Sequence, residues 1–178
     1  MKDSIRYLIL TLLTAINILS STDAQQSTPT EYEVKAAFIY NFAKFVEWPA
    51  DADTTMDLCV LGDDPFGSVI DVIKGKPARE KNIVIKRIKS LQQLKICQIL
   101  FISNSEKEHL QQILDVLGSS NVLTIGDTEE FAQRGVIINF YVEQDKVRFE
   151  INLESAKRAG LSISSKLLKL GRIVKGKS

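Results

Sequence analysis

The chain has 178 residues, of which 44% are hydrophobic and 25% charged, values typical of folded globular proteins rather than disordered or collagen-like chains. Its 23 Lys and Arg balance 22 Asp and Glu, and the formal net charge of +1 gives no support to nucleic-acid binding, which requires a clear basic excess. One His and two Cys are too few for an ordinary tetrahedral zinc site, and we expect neither a metal nor another cofactor.

The N-terminus has the pattern of a cleaved signal peptide. Lys2 and Arg6 precede an apolar run over 7–19, which is shorter than the about 20 residues that a membrane-spanning helix needs. Ala24 fits the small-residue rule for a cleavage site, and an uncleaved anchor is the alternative. Cleavage after Ala24 divides the chain into a signal peptide (1–24), a polar leader (25–29) and a single domain (30–178). No later segment is apolar for long enough to span a bilayer.

The two cysteines, Cys59 and Cys97, are an even pair in a chain predicted to be exported. In an oxidising compartment such a pair predicts one disulfide, two buried free thiols being the alternative. The bridge would span 38 residues, for which the chain-entropy model gives roughly 3–4 kcal/mol of stability. We interpret it as a structural cross-link rather than a redox switch.

The predicted elements begin with a helix and continue with short apolar strands. A capping box at Thr30 and Glu33 opens the helix, its apolar residues recur at helical spacing, and Pro49 ends it. Four strands separated by helical segments follow, over 58–61, 83–85, 99–102 and 122–125. This alternation predicts an α/β fold with a mainly parallel sheet and helices on both faces. A flavodoxin-like strand order 2-1-3-4 would place the strands of the two cysteines side by side.

The C-terminal part departs from this alternation. Apolar runs over 136–142 and 147–151 flank a tight polar connection, which predicts an antiparallel hairpin. The segment over 161–174 then predicts an amphipathic helix, because Ile163, Leu167, Leu170 and Val174 recur on one face.

Two Gly-Asp steps follow the first and fourth predicted strands, at Gly62-Asp63-Asp64 and Gly126-Asp127. The carboxyl ends of parallel strands form the crevice in which α/β proteins bind ligands. Asp63, Asp64 and Asp127 are therefore candidates for a ligand-binding loop, or for the carboxylates of a hydrolase. The alternative, which we favour, is that they cap the helices that follow, with glycine permitting the turn.

The sequence offers few other candidates for catalytic residues. His109 lies in a predicted helix without a partner at a recognisable spacing, and Ser164-Ser165-Lys166 lacks the Ser-x-x-Lys spacing of serine acyl enzymes. The chain contains no P-loop, GxSxG, CxxC or dinucleotide-binding fingerprint. The candidate nucleophiles therefore lack the context of a catalytic site, and we assign no catalytic residues.

The helical segment over 34–49, VKAAFIYNFAKFVEWP, resembles the signature of the YfiR/HmsC-like family of exported proteins. Further blocks resemble the family in the same order, over 62–67, 97–102, 122–127, 149–153 and 161–168. The resemblance implies a non-catalytic periplasmic regulator. Such a protein represses an inner-membrane diguanylate cyclase by binding its periplasmic sensor domain, which lowers cyclic-di-GMP and biofilm formation.

The resemblance also bears on individual residues. It implies that Cys59 and Cys97 form a disulfide pair, whereas the second bridge of the family's best-known member has no counterpart, since 140–152 contains no cysteine. Because the hairpin and last helix lie outside the regular alternation, we expect Phe149, Ile163 and Leu167 to contact the sensor domain, a core role being the alternative. A homodimer is left open. The alternative function is an exported small-ligand-binding protein that uses the loops after strands one and four.

Overall fold

The computed structural model describes residues 29–49 and 53–176, so the predicted signal peptide and most of the predicted leader lie outside the described residues. Helix α1 (Glu31–Phe45) begins with the predicted capping box. The Thr30 hydroxyl accepts a hydrogen bond from the Glu33 N–H at 3.3 Å, and the Glu33 carboxylate accepts one from the Thr30 N–H. The helix ends where Val46 becomes extended and enters a two-residue strand, β1 (Val46–Glu47).

Within the described residues, the main sheet has eight strands and is mostly parallel. In chain order its strands are β2 (Thr55–Leu61), β3 (Pro77–Ala78), β4 (Lys81–Ile88), β5 (Ile99–Ile102), β6 (Leu123–Gly126), β7 (Ile138–Glu143), β8 (Lys146–Asn152) and β10 (Arg172–Val174). They lie in the order β10-β8-β7-β6-β5-β2-β4-β3. In this spatial order, the five neighbouring strands β4, β2, β5, β6 and β7 pair in parallel. Strands β7 and β8 form the predicted antiparallel hairpin. The structure thus confirms a mostly parallel α/β fold.

Short helices connect the strands. The α-helices after α1 are α2 (Leu110–Leu117), α3 (Leu153–Arg158) and α4 (Ser165–Leu168), and single 3-10 segments cover Gly67–Ile73, Leu91–Ile96 and Asn104–His109. Among the residues described, no helix has the length and apolar character that crossing a bilayer requires.

Apolar side chains pack on both faces of the sheet, because successive residues of a strand point to opposite faces. In β2, Leu58 and Val60 join the larger cluster beneath α1, which contains the stacked rings of Phe42 and Phe140. Cys59 and Leu61 join the smaller cluster on the other face, which α2 covers.

The predicted disulfide between Cys59 and Cys97 is present, and it lies in this smaller cluster. Cys59 is on β2, and Cys97 follows a 3-10 segment just before the neighbouring strand β5. Their Cα atoms are 5.9 Å apart, within the range that a disulfide requires. Both residues are buried, so the bridge cross-links the core.

The predicted amphipathic helix over 161–174 is wrong. Helix α4 covers only Ser165–Leu168, while strand β9 (Ser162–Ile163) pairs with β1 and β10 pairs in parallel with β8. Gly171 permits the close approach of this segment to β8, because a Cβ atom there would lie 2.5 Å from Cε2 of Phe149. The backbone passes close over this ring and then makes strand hydrogen bonds along β8, an alternative that helical periodicity in the sequence does not reveal.

Candidate functional site

The two Gly-Asp loops lie at the carboxyl edge of the sheet but do not converge. Strand β5 separates β2 from β6, so the loops start two strand spacings apart, about 9–10 Å. The 3-10 segment Asn104–His109 contacts both loops: Ser105 Oγ accepts a hydrogen bond from the N–H of Asp63 at 3.0 Å, and Asn104 Oδ1 accepts one from the Thr128 hydroxyl at 3.2 Å. This segment therefore bridges the two loops, where the sequence predicted a shared crevice.

Gly62 permits the close approach of that segment to the first loop. Its φ is +87°, a backbone conformation that favours glycine, and any Cβ atom there would collide with the side chains of Ser105 and Glu106. The Gly-Asp step thus reflects packing of the loop against its neighbour.

Asp64 stabilises the first loop rather than a helix terminus. Its carboxylate accepts hydrogen bonds from the N–H of Phe66 at 2.8 Å and from Nε of Arg87 at 2.7 Å. The hydrogen bond to Asp64 raises the pKa of Arg87 above its usual value. The side chain of Asp63 is exposed. Asp64 is therefore not a helix cap. Its hydrogen bond with Phe66, two residues later, closes a turn, and its contact with Arg87 joins that turn to β4.

Asp127 also has partners other than a helix N-terminus. Its Oδ2 atom accepts a hydrogen bond from Nζ of Lys35 at 2.7 Å and from the Tyr32 hydroxyl at 3.0 Å. Glu31 lies 2.6 Å from the same ammonium group, and the ammonium stands 4.3 Å from the centre of the Tyr32 ring. The first turn of α1 thereby binds the end of β6.

The central ion pair of this cluster is buried. The side chains of Lys35 and Asp127 are only 4% and 8% exposed. Burial lowers the pKa of Lys35, but hydrogen bonds to Asp127 and Glu31 outweigh this effect and leave the pKa above its usual value. Burial, together with the negative charge of Asp127, raises the pKa of Tyr32. Lys35 is therefore charged and Tyr32 protonated at neutral pH.

Sequence reasoning missed Lys35, although a signal was present. Lys35 precedes Phe38, Ile39 and Phe42 by three, four and seven residues, and this spacing places it on the apolar face of α1. A lysine is almost never fully buried unless it is paired. A lysine on the apolar face of α1 therefore predicts a carboxylate partner elsewhere in the chain.

Two of the three predicted partner contacts are buried. Phe149 and Leu167 are each 2% exposed, and Ile163 is half-buried in β9. Three apolar side chains on β7, on β10 and in the turn before β10 are exposed: Val142 is 52% exposed, Leu170 69% and Ile173 47%. We call these three residues the C-terminal apolar surface.

Other candidate residues have structural roles. The hydroxyl of Ser164 accepts a hydrogen bond from the Leu167 N–H and caps α4, as expected for a serine at this position. His109 is exposed, with its Nδ1 atom 3.3 Å from a carboxylate oxygen of Glu106. Within 29–49 and 53–176, no three His, Cys, Asp or Glu side chains are grouped so that they could hold a metal ion.

Solved structures place the fold in a class of mostly parallel α/β domains. The chain is similar to the ABC domain from Streptococcus pneumonia solved in complex with L-Trp, with a TM-score of 0.53 and 9% identity over 80% of this chain. It is also similar to a conserved domain protein from Vibrio cholerae, with a TM-score of 0.54 and 9% identity over 83% of this chain. It spans 60% of the length of each of these structures, and the likeness concerns the fold alone.

The family follows from the sequence itself. The YfiR/HmsC-like family model matches residues 32–172, which include α1 from its second residue, the disulfide and every strand of the sheet up to the start of β10. The chain belongs to the YfiR/HmsC-like family.

Proposed function

We propose that the protein represses an inner-membrane diguanylate cyclase by binding its periplasmic sensor domain, and so lowers cyclic-di-GMP and biofilm formation. The observation that carries this proposal is the family match over residues 32–172. The buried disulfide is consistent with an oxidising compartment outside the cytoplasm.

We place the contact at the C-terminal apolar surface, because its side chains are exposed whereas Phe149 and Leu167 are buried. Strand register extends from β10 across β8 to β7, with Arg172 opposite Glu150 and Val142 opposite Val147. Leu170 lies in the turn between α4 and β10, two residues before the strand begins. Leu170 is 69% exposed, and a large exposed apolar side chain is a candidate for contact with a protein partner.

The edge strand gives this surface a second binding feature. β10 is the last strand of the eight-stranded sheet, and its three residues pair only with β8 among the described strands. An extended segment of a partner can add to such an edge through main-chain hydrogen bonds. Ile173 would then contribute an apolar contact next to that pairing.

Repression requires a difference in affinity. If the protein binds one conformation of the sensor domain more tightly than the other, it shifts the population of the cyclase towards the inactive state. A hundredfold difference corresponds to about 2.7 kcal/mol of coupling, within the usual range for allosteric proteins. No reaction on the protein itself is needed.

The experiment is complementation in cells. Deleting the gene should raise cyclic-di-GMP and biofilm mass, and the wild-type gene should restore both. Leu170→Asp should fold, be exported and fail to restore them. Val72→Asp is the matched control, since Val72 is 60% exposed in the Gly67–Ile73 segment, away from β10. Unchanged cyclic-di-GMP in the deletion strain would contradict the proposed function, and full activity of Leu170→Asp would contradict its placement.

A further inference from the structure

Basic residues are concentrated at one end of the sheet. The segment over 74–89 contains seven Lys and Arg residues and one acidic residue, Glu80, although the whole chain has a net charge of only +1. The rest of the chain is therefore net acidic. This segment includes β3 and β4, which lie at the opposite end of the strand order from β10. A nearly neutral protein thus has one strongly basic sheet edge.

Backbone hydrogen bonds hold several of these cations beside β4. The N–H of Gly75 donates to the carbonyl oxygen of Ile83 at 2.8 Å, and the N–H of Ile83 donates to that of Lys76 at 3.1 Å. Lys74 and Lys76 therefore flank Gly75 at the outer side of β4. Arg79 lies in the turn that connects β3 to β4. All three basic side chains are exposed.

Helix α1 adds a fourth cation to this edge. The Tyr40 hydroxyl donates a hydrogen bond to the carbonyl oxygen of Pro77 at 3.0 Å, which joins α1 to β3. Nζ of Lys44 and Nζ of Lys76 stand 5.2 and 5.5 Å from the centre of the Tyr40 ring, so two like charges lie beside one aromatic ring. We call Lys44, Lys74, Lys76 and Arg79 the basic edge.

Most of the basic edge has no carboxylate partner. Arg79 has Glu47, at a distance of 3.9 Å. Within 29–49 and 53–176, no carboxylate lies within 4 Å of the ammonium group of Lys44, Lys74 or Lys76. Two cations farther along β4, by contrast, form ion pairs at 2.6 and 2.7 Å. The positive potential of the basic edge is therefore largely uncompensated by the protein itself.

Protection of a sheet edge does not account for all four cations. Lysines on an edge strand commonly prevent pairing with another sheet. Lys44, however, lies on α1, and Lys74 lies in the connection before β3. Cations that converge from a helix, a loop and a turn form a basic surface rather than a protected strand. Charge complementarity favours an anionic partner for such a surface.

We propose that the basic edge binds the surface of a membrane that contains anionic phospholipids. The choice of a membrane rests on the proposed function, which places the protein beside an inner-membrane enzyme. Each basic side chain near an anionic membrane raises binding about fivefold, and its effect ends within about a Debye length. A local group of cations therefore acts even when the net charge of the protein is close to zero.

The strand order makes this attachment compatible with binding of a sensor domain. β3 and β10 are the two outer strands of the sheet within the described residues, and seven strand spacings separate them, or about 33 Å. A protein held on a membrane by its basic edge keeps the C-terminal apolar surface free for the sensor domain. Membrane binding would then raise the local concentration of the protein near the cyclase.

Vesicle co-sedimentation with the purified, oxidised protein tests the proposal. At about 50 mM salt, vesicles of phosphatidylcholine with about 40% phosphatidylglycerol should bind the wild type, whereas pure phosphatidylcholine vesicles should not. At about 500 mM salt, binding to the anionic vesicles should fall at least about tenfold because of screening. Absence of binding to anionic vesicles at low salt, or equal binding to both kinds of vesicle, would overturn the proposal.

Charge variants locate the binding surface. Lys74→Gln/Lys76→Gln should weaken vesicle binding at least about tenfold, and Lys74→Glu/Lys76→Glu should weaken it further. Lys146→Glu/Lys157→Glu is the matched control for the second variant, because it changes the net charge equally at exposed positions outside the basic edge. It should bind within about twofold of the wild type. Equal losses in the two charge-reversal variants would overturn the assignment, once urea unfolding has shown both to be folded.

A glutamate-rich peptide distinguishes a membrane from an acidic protein partner. The peptide should not displace the protein from anionic vesicles at equal concentrations of negative charge. Binding of the peptide by a protein that ignores anionic vesicles would make the basic edge a protein-docking surface and would overturn the proposal. Vesicle binding needs no cyclase, so its failure is distinguishable from failure of the proposed function, which complementation in cells measures separately.

Discussion

Nζ of Lys35 lies 2.7 Å from Oδ2 of Asp127, and this buried ion pair joins two points that are 92 residues apart in the chain. It ties the first turn of α1 to the carboxyl end of β6. Tyr32 strengthens the connection, because its hydroxyl binds Asp127 while its ring packs edge-on against Phe66 in the other Gly-Asp loop. The start of α1 therefore contacts both loops at the carboxyl edge of the sheet.

Replacing Lys35 tests the energetic weight of this pair. Lys35→Met leaves Asp127 buried without its cation, and losing one partner of a buried pair typically costs about 3–5 kcal/mol. Because Tyr32 still donates to Asp127, we expect the free energy of unfolding to fall by about 2–4 kcal/mol in urea titrations. The double variant Lys35→Met/Asp127→Asn should lose less than the two single variants together.

An exposed pair provides the control. Glu47 lies 3.9 Å from Arg79, and both side chains are largely exposed. Glu47→Gln should change the free energy of unfolding by less than about 0.5 kcal/mol. A Lys35→Met variant as stable as Glu47→Gln would show that the buried pair contributes little.

Stability should fall at alkaline pH because of the same cluster. The pKa values of Tyr32 and Lys35 are raised above their usual values of 10.0 and 10.5. The folded state therefore holds both protons more tightly than the unfolded state, and this stabilisation is complete below about pH 10 and is lost as the pH rises through the folded-state pKa values. Urea midpoints measured from pH 8 to about pH 11 should decline less steeply for Tyr32→Phe/Lys35→Met than for the wild type. Parallel curves would contradict this assignment.

The disulfide should account for a large part of the stability. Replacing both cysteines in Cys59→Ala/Cys97→Ala should lower the free energy of unfolding by roughly 3–4 kcal/mol, since the bridge spans 38 residues. Dithiothreitol should lower the midpoint of the wild type and leave the double variant unchanged. A wild-type midpoint that is insensitive to complete reduction would show that the cross-link is energetically silent.

Gly171 should tolerate no side chain. A Cβ atom there would meet Phe149 at 2.5 Å and Cδ1 of Ile151 at 3.0 Å, so Gly171→Ala must displace a buried ring and should destabilise the protein by about 1–3 kcal/mol. Gly176→Ala is the matched control, since its nearest contact would be an ordinary 3.6 Å. Thermal unfolding of the two variants distinguishes them, and equal Tm values would contradict the packing described for β10.

Local signals predicted the first part of the fold well. The capping box at Thr30 and the aromatic stripe specify α1, and short apolar runs bounded by turn residues specify the parallel strands. The C-terminal segment failed because its apolar spacing fits a helix, whereas pairing with β8 and the contact of Gly171 with Phe149 depend on residues distant in the chain. Tertiary contacts of this kind override helical propensity.

The candidate site was predicted only in its position on the sheet. The Gly-Asp steps do lie at the carboxyl edge, but the sequence could not show that Ser105 and Asn104 bridge them, or that Asp127 pairs with Lys35. These contacts join elements through strand order, which no local pattern contains. The sequence also did not show which apolar side chains are exposed. Leu167 and Leu170 are both leucines, yet only Leu170 is exposed to solvent.

Binding of the purified protein to an isolated sensor domain tests the proposed function most directly. The periplasmic domain of each membrane diguanylate cyclase from the same organism would be titrated with wild-type, Leu170→Asp and Val72→Asp protein in calorimetry. We expect one domain to bind the wild type and Val72→Asp with equal affinity, and Leu170→Asp at least about thirtyfold more weakly, as for a buried interface anchor. Failure of every sensor domain to bind the folded, oxidised wild-type protein would contradict repression by direct contact.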